Sequence, residues 1–249
     1  PVHIACKKFV SPSGDMHQNA VFLTREEAVS AIHADLQQYE PQPELLCELY
    51  PAVMGAGAVA VADADPGRLW IKQAARGPMR PVTCDEVTDT LFNRLTKGTP
   101  SRKRLADLCT RVFDEPAAAG IDRHTRAKGV WLETGMAGYA CRQCGKCCRY
   151  LDYHRECTAK DYRRWRELGR EDILKWVRRV PGAAGTTTYG IWVAPGTEQP
   201  AAECPFLKNE AGTARFYCGI HDVKPGICRQ YPFTRKHALM TGCPGFNKD

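Results

Sequence analysis

Four cysteines stand close together in the run Cys141-Arg-Gln-Cys144-Gly-Lys-Cys147-Cys148. Thiolates bind soft and borderline metals strongly, and two-residue gaps bring three sulfurs round one centre with almost no loop to close. The metal implied depends on the third cysteine of the series. A zinc knuckle uses one C-x2-C pair and completes its tetrahedron from a distant pair. A third cysteine at the same pitch is more typical of a [4Fe–4S] cubane, whose fourth ligand is often a remote Cys followed by Pro. Cys204-Pro205 and Cys243-Pro244 both have that form, and Cys218 and Cys228 add two further thiols. The eight cysteines 141, 144, 147, 148, 204, 218, 228 and 243 suffice for two four-thiolate centres. The alternative is one centre with the remaining thiols buried in the core. Adjacent Cys147 and Cys148 are expected to diverge, which would assign them to two neighbouring sites.

Other residues carry weaker signals. Cys157, His154 and His221 are secondary ligand candidates, and Arg229 beside Cys228 is placed to donate to a cluster sulfur and tune its potential. Cys6, Cys47, Cys84 and Cys109 are scattered and read as structural. Gly55-Ala-Gly57 precedes a strand instead of following one, the wrong order for a phosphate loop, and reads as a turn. The basic and aromatic stretches Tyr162-Arg-Arg-Trp165-Arg and Lys175-Trp176-Val-Arg-Arg read as solvated helix faces with tryptophan turned inward, so nucleic acid is not an expected partner.

These side chains need a frame, and the sequence describes an α+β fold. A domain of residues 1–134 is followed by a loop-rich, metal-stapled domain of residues 135–249 with short helices and hairpins. In the first, Val21–Leu23 reads as a strand. Thr24-x-x-Glu27 and Thr83-x-x-Glu86 have capping-box spacing ahead of helices, and a third helix is expected over 101–113. Residues 58–65 and 68–73, separated by Pro66-Gly67, read as a hairpin. In the second, Thr158-x-x-Asp161 opens a helix that breaks at Gly169 and resumes over 171–180. Residues 189–193 read as a strand, and Phe206-Leu207 with Phe216-Tyr217 as a hairpin.

The 249 residues include 13 cysteines and carry a net charge of +7. Of those cysteines nine lie in the last 109 residues, and the odd total fits pairwise disulfides poorly. Residues 1–140 carry 16 Lys/Arg against 17 Asp/Glu, and residues 141–249 carry 19 against 11. The basic half is the cysteine half, as expected where Arg and Lys offset thiolate charge. The first residues lack a secretory pattern, Pro1 reads as what an excised initiator methionine leaves, and no apolar run is long enough to span a membrane. A cytoplasmic location is expected, where cysteine clusters are metal or redox sites more often than disulfides.

The ordered pattern Tyr139-Ala-Cys141-x2-Cys144-Gly145-x-Cys147-Cys148, Cys204-Pro-Phe-Leu207, Cys218-Gly-Ile, Lys224-Pro225, Cys228-Arg229-x-Tyr231-Pro232-Phe233 and Cys243 resembles the zinc- or iron-chelating cysteine-cluster family, the YkgJ-type CxxCxxCC proteins, over residues 139–246. The resemblance implies a cytoplasmic metal-chelating module, with iron–sulfur binding in relatives such as the flagellin lysine-N-methylases. His221 stands where relatives usually have Tyr, and Lys224 where they usually have Arg. The expectation is an iron–sulfur protein with one or two [4Fe–4S] clusters, acting in electron transfer or as an accessory subunit of a larger redox enzyme, with the N-terminal domain docking the protein partner. The alternatives are a zinc-stabilised interaction module and a cluster-dependent methyltransferase, the latter weakened because no S-adenosylmethionine loop is recognisable.

Overall fold

Three threonines start helices in the same way. Thr24, Thr83 and Thr158 each accept from the backbone N–H of the acidic residue three positions on, and that residue's carboxylate accepts from the threonine N–H in return. Each box satisfies two orphan donors and sets negative charge at the positive end of the helix. The computed structural model describes residues 19–151, 156–181 and 187–246. The chain folds as two compact units, Pro1–Met136 and Ala137–Asp249.

In the first unit, β1 (Ala20–Thr24) leads directly into α1 (Arg25–Gln37), followed by α2 (Pro43–Met54), β2 (Val59–Ala62), β3 (Arg68–Lys72) and β4 (Arg80–Thr83). Then come α3 (Cys84–Lys97), α4 (Arg102–Phe113), β5 (Ala117–Ile121) and β6 (Lys128–Glu133). The strands form two antiparallel sheets, ordered β1-β6-β5 and β2-β3-β4. Val21 pairs with Leu132 and Leu23 with Val130, all four buried, so the period-2 alternation turns one face of that sheet inward. The hairpin expected over 58–73 is present as β2 and β3, and Gly55 and Gly57 lie in the turn before it. Cys84 and Cys109 are buried, Cys109 completely.

The second unit holds α5 (Lys146–Arg149), β7 (Glu156–Cys157), α6 (Ala159–Glu167), α7 (Glu171–Leu174), β8 (Val177–Pro181), β9 (Thr187–Ile191), β10 (Leu207–Asn209), β11 (Phe216–Cys218), α8 (Gly226–Gln230) and α9 (Arg235–Met240). A 3-10 turn covers Pro244–Phe246. Strands β7-β9-β8 make one antiparallel sheet, and β10 with β11 the expected hairpin. The core is built on Trp165, Ile173, Ile191, Trp192, Ile220 and Val223, with Cys157 and Cys204 buried among them. Burying Trp165 removes about 200 Å² of side-chain surface from water, worth up to ~5 kcal/mol before conformational entropy is set against it.

The helix expected over 171–180 is not formed. α7 stops at Leu174, and Val177–Pro181 pairs along its length with β9, from Val177 opposite Ile191 to Pro181 opposite Thr187. β-branched Val177 and Val180 suit a strand, and pairing with β9 outweighs the apolar spacing that suggested a helix. β9 ends at Ile191, short of the expected Val193, because Trp192 adopts φ 60°, in the left-handed region, and breaks the pleat. No helix among the described residues is long and apolar enough to cross a membrane.

Candidate metal centre

The cysteine run is a tight turn leading into a single helical turn. Gln143 (φ 54°) and Gly145 (φ 69°) place a left-handed residue on each side of Cys144. A Cβ at Gly145 would lie 3.0 Å from the Phe216 ring, so glycine is required there both for its dihedral and for its space. Arg149 stacks on the same ring at 4.1 Å and reaches Glu203 with Nε at 3.2 Å. The Phe216 N–H donates to the Gln143 carbonyl at 2.7 Å, which joins the run to β11.

Backbone bonds tie the two ends of the run to different remote cysteines. At the Cys148 end, the Cys204 N–H donates to the Cys148 carbonyl (2.9 Å) and the Leu207 N–H to the Cys204 carbonyl (3.1 Å). Leu207 in turn faces Cys218 across the hairpin. At the Cys141 end, the Ala140 N–H donates to the Gly245 carbonyl (2.9 Å), while the side chain of Lys146, next to Cys147, reaches the Gly242 carbonyl with Nζ (3.0 Å). Tyr139 Oη lies 3.6 Å from Cys243 Sγ.

The thiols follow the backbone. Cys147 and Cys148 hydrogen-bond each other, and Cys148 also bonds Cys204. Cys228 lies close enough to Cys147, Cys148 and Cys218 for their charges to weigh on it. Five of the eight candidates, Cys147, Cys148, Cys204, Cys218 and Cys228, therefore lie near enough for their charges to act on one another, and are called the five-thiol group. The vicinal pair does not diverge as expected, since each thiol is the other's hydrogen-bond partner. Cys141, which is exposed, and Cys243 belong with Tyr139 at the other end. Half-buried Cys144 sits between its two left-handed neighbours.

Cys147, Cys148, Cys218 and Cys228 resist losing protons. The Cys147 thiol is pushed up strongly, first by its bond to Cys148 and then by burial. For Cys148 the bond from Cys147 pulls down, but the bond to Cys204, burial and the charges of Cys204 and Cys218 outweigh it and push the thiol up to about 12. Burial is the first cause of the upward shift at both Cys218 and Cys228. The Lys224 ammonium pulls Cys147, Cys218 and Cys228 the other way. Tyr231 hydrogen-bonds Thr241 Oγ1 at 2.8 Å, and burial first, then the charges of Cys243 and Cys147, push its phenol up.

The remaining candidates are placed as follows. Arg229, expected to donate to a cluster sulfur, instead sends its guanidinium to the Asp161 carboxylate (3.0 Å) and to the Lys224 carbonyl. His221 is exposed, its N–H on the Cys218 carbonyl. Cys157 is buried in the core. His154 and Cys6 lie outside the described residues.

Residue spacing alone did not single out the face of α6 that holds the Cys228 segment. Asp161, Arg164 and Trp165, at helical spacing i, i+3 and i+4, reach residues 222–226. Trp165 Nε1 donates to the Val223 carbonyl (2.8 Å), Arg164 to the Asp222 carbonyl (3.0 Å), and the Gly226 N–H to Asp161 Oδ1 (3.1 Å). The only sequence trace of this was the capping box, in which Asp161 occupies the place of the usual Glu or Gln.

Among the described residues, no three or more His, Cys, Asp or Glu side chains are arranged as a ready-made metal-holding group. The donor chemistry nevertheless fits a thiophilic metal, since the five grouped side chains are all sulfur. Buried Trp192 Nε1, in the same core as Cys204, finds no acceptor among the described residues. Coordination requires the thiols to give up protons and turn toward a common point.

Residues 140–244 match the family model CxxCxxCC, whose description reads "Putative zinc- or iron-chelating domain". Over these residues the C-terminal unit is similar to the cysteine-cluster domains that this model describes. Comparison with curated proteins gives no match. Comparison with solved structures gives none either.

Proposed function

We propose that the C-terminal unit is an iron–sulfur module that binds a [4Fe–4S] cluster at the five-thiol group and serves electron transfer, as an accessory subunit of a redox enzyme. The observation that carries this reading is the backbone bond that holds Cys204 to Cys148, together with the influence of Cys147, Cys204 and Cys218 on the Cys148 thiol and of Cys147, Cys148 and Cys218 on that of Cys228. Cys148, Cys204, Cys218 and Cys228 would hold the cluster, with Cys147 beside them. Cys141, Cys144 and Cys243 would supply the second centre where two are bound. A bound cluster contributes a one-electron couple whose potential depends on burial and on donors to sulfur. The chain's own residues do the rest: the Trp165 core excludes water on one side, Lys224 offsets thiolate charge, and Trp192 Nε1 is a buried donor in reserve. The N-terminal α+β unit would dock the protein partner, a role supported by exposed Val61 and Trp70, which face each other across β2 and β3.

Single Cys-to-Ser replacements in anaerobically purified protein test the assignment. Cys148→Ser, Cys204→Ser, Cys218→Ser and Cys228→Ser should each lose most of the bound iron and the visible absorption, while Cys109→Ser and Cys157→Ser should keep both. Retention of full iron by all four replacements would overturn the reading.

A further inference from the structure

We infer that Asp161 is the positioning residue for Cys228, acting through the backbone of Gly226 and the guanidinium of Arg229. The inference rests on the reading of the five-thiol group as a metal centre. Asp161 is 3% exposed, and each of its carboxylate oxygens has a separate task. Oδ2 accepts from the Thr158 N–H (3.2 Å) and hydroxyl (2.7 Å) and so closes the N-terminus of α6. Oδ1 accepts from the Gly226 N–H (3.1 Å) and from Arg229 (3.0 Å), residues on both sides of Cys228 and 65 to 68 positions away in sequence. Arg229 also holds the Lys224 carbonyl, so one guanidinium ties the beginning of the segment, its end and the carboxylate together.

A capping carboxylate needs only the first of these tasks. The second fixes the backbone at Gly226, the first residue of α8, and thereby the direction in which Cys228 enters the thiol group. Arg164 and Trp165 hold residues 222 and 223 from the same helix face, so the whole approach to Cys228 is shaped by α6. A Cβ on Gly226 would stand 3.3 Å from Asp161 Oδ2, which shows how closely the two are set. Groups that orient a metal's ligands without touching the metal typically change affinity by about 10–100-fold when removed.

The test uses the full reduced chain and Co(II) alone as probe, with sulfur-to-cobalt charge-transfer absorption as the readout. Asp161→Ala should weaken Co(II) binding by roughly 10–100-fold and lower the charge-transfer intensity per cobalt by one sulfur's share. In a Cys228→Ser background the same replacement should change neither quantity further, because the thiolate it positions is already gone. Thr158→Ala, which opens the cap and leaves Oδ1 in place, should bind Co(II) as the wild type does. Arg229→Gln, at a side chain 41% exposed, carries the test should Asp161→Ala fail to fold, and should weaken binding in the same direction. An equal loss in the wild-type and Cys228→Ser backgrounds, or an equal loss from Thr158→Ala, would overturn the positioning role while leaving the metal centre standing. A wild-type chain that takes up neither cobalt nor iron would overturn both.

Discussion

The side chains that weigh most on the Cys148 thiol are Cys147, Cys204 and Cys218, all sulfur, so a cation entering there meets soft ligands and displaces protons as it binds. The acid side of stability has a source at His237. Burial holds its imidazole down at about 4 against an ordinary 6.5, and Nδ1 accepts from the Phe233 N–H at 3.3 Å, as a neutral ring does. A group whose folded value is depressed contributes stability that is fully present above its unfolded value and is lost as pH falls toward its folded one. Unfolding of the wild type should therefore lose up to about 3 kcal/mol between pH 6.5 and 4 on this account, and His237→Asn should remove that one-proton component from the pH profile measured by urea denaturation. Identical profiles for the two proteins would contradict it. At this scale the sequence was legible where chemistry depends on residue type and local spacing, as for the cysteine run and the Thr-x-x-acid boxes. The direction of Arg229 was not, because its partner Asp161 stands 68 positions earlier and is brought near only by the fold.

Helix α6 links the core to the thiol group, since Trp165 packs inside while its indole N–H holds the Val223 carbonyl. Trp165→Phe should leave that carbonyl without its indole donor and part of the core unfilled, a loss of about 2–4 kcal/mol in equilibrium denaturation; a change under ~0.5 kcal/mol would show that the bond and packing contribute little. Elements with local signals were legible: α1, α3 and α6 from their caps, and the β2–β3 hairpin from Pro66-Gly67. α2 was not recognised, although Leu46, Leu49, Tyr50 and Val53 recur at helical intervals behind Pro43. Pro51 inside it reads as a breaker and hides the pattern. β6 was also missed: its partner β1 lies more than 100 residues earlier, as in Val21 opposite Leu132, and such pairing leaves little local trace. For Val177–Pro181 the local pattern favoured a helix, and pairing with β9 decided otherwise.

Across the whole molecule, the charge surplus lies on the half that holds the thiols, and Lys224 shows one way it acts, by pulling down three thiols that burial and mutual repulsion push up. The fold class and the cysteine-cluster domain were both legible, because alternating periodicities and an ordered set of cysteine spacings extend over long stretches of chain. The grouping of five thiols against three was not, since it follows from the bonds of residue 148 to 204 and of residue 140 to 245, which spacing does not reveal. Iron, zinc and acid-labile sulfide per chain, measured on full-length protein purified without oxygen, address the central claim most directly. The account predicts about four iron and four sulfide for each centre bound, a brown protein with visible absorption that fades on reduction, and no stoichiometric zinc. A colourless protein carrying stoichiometric zinc and no sulfide would contradict it.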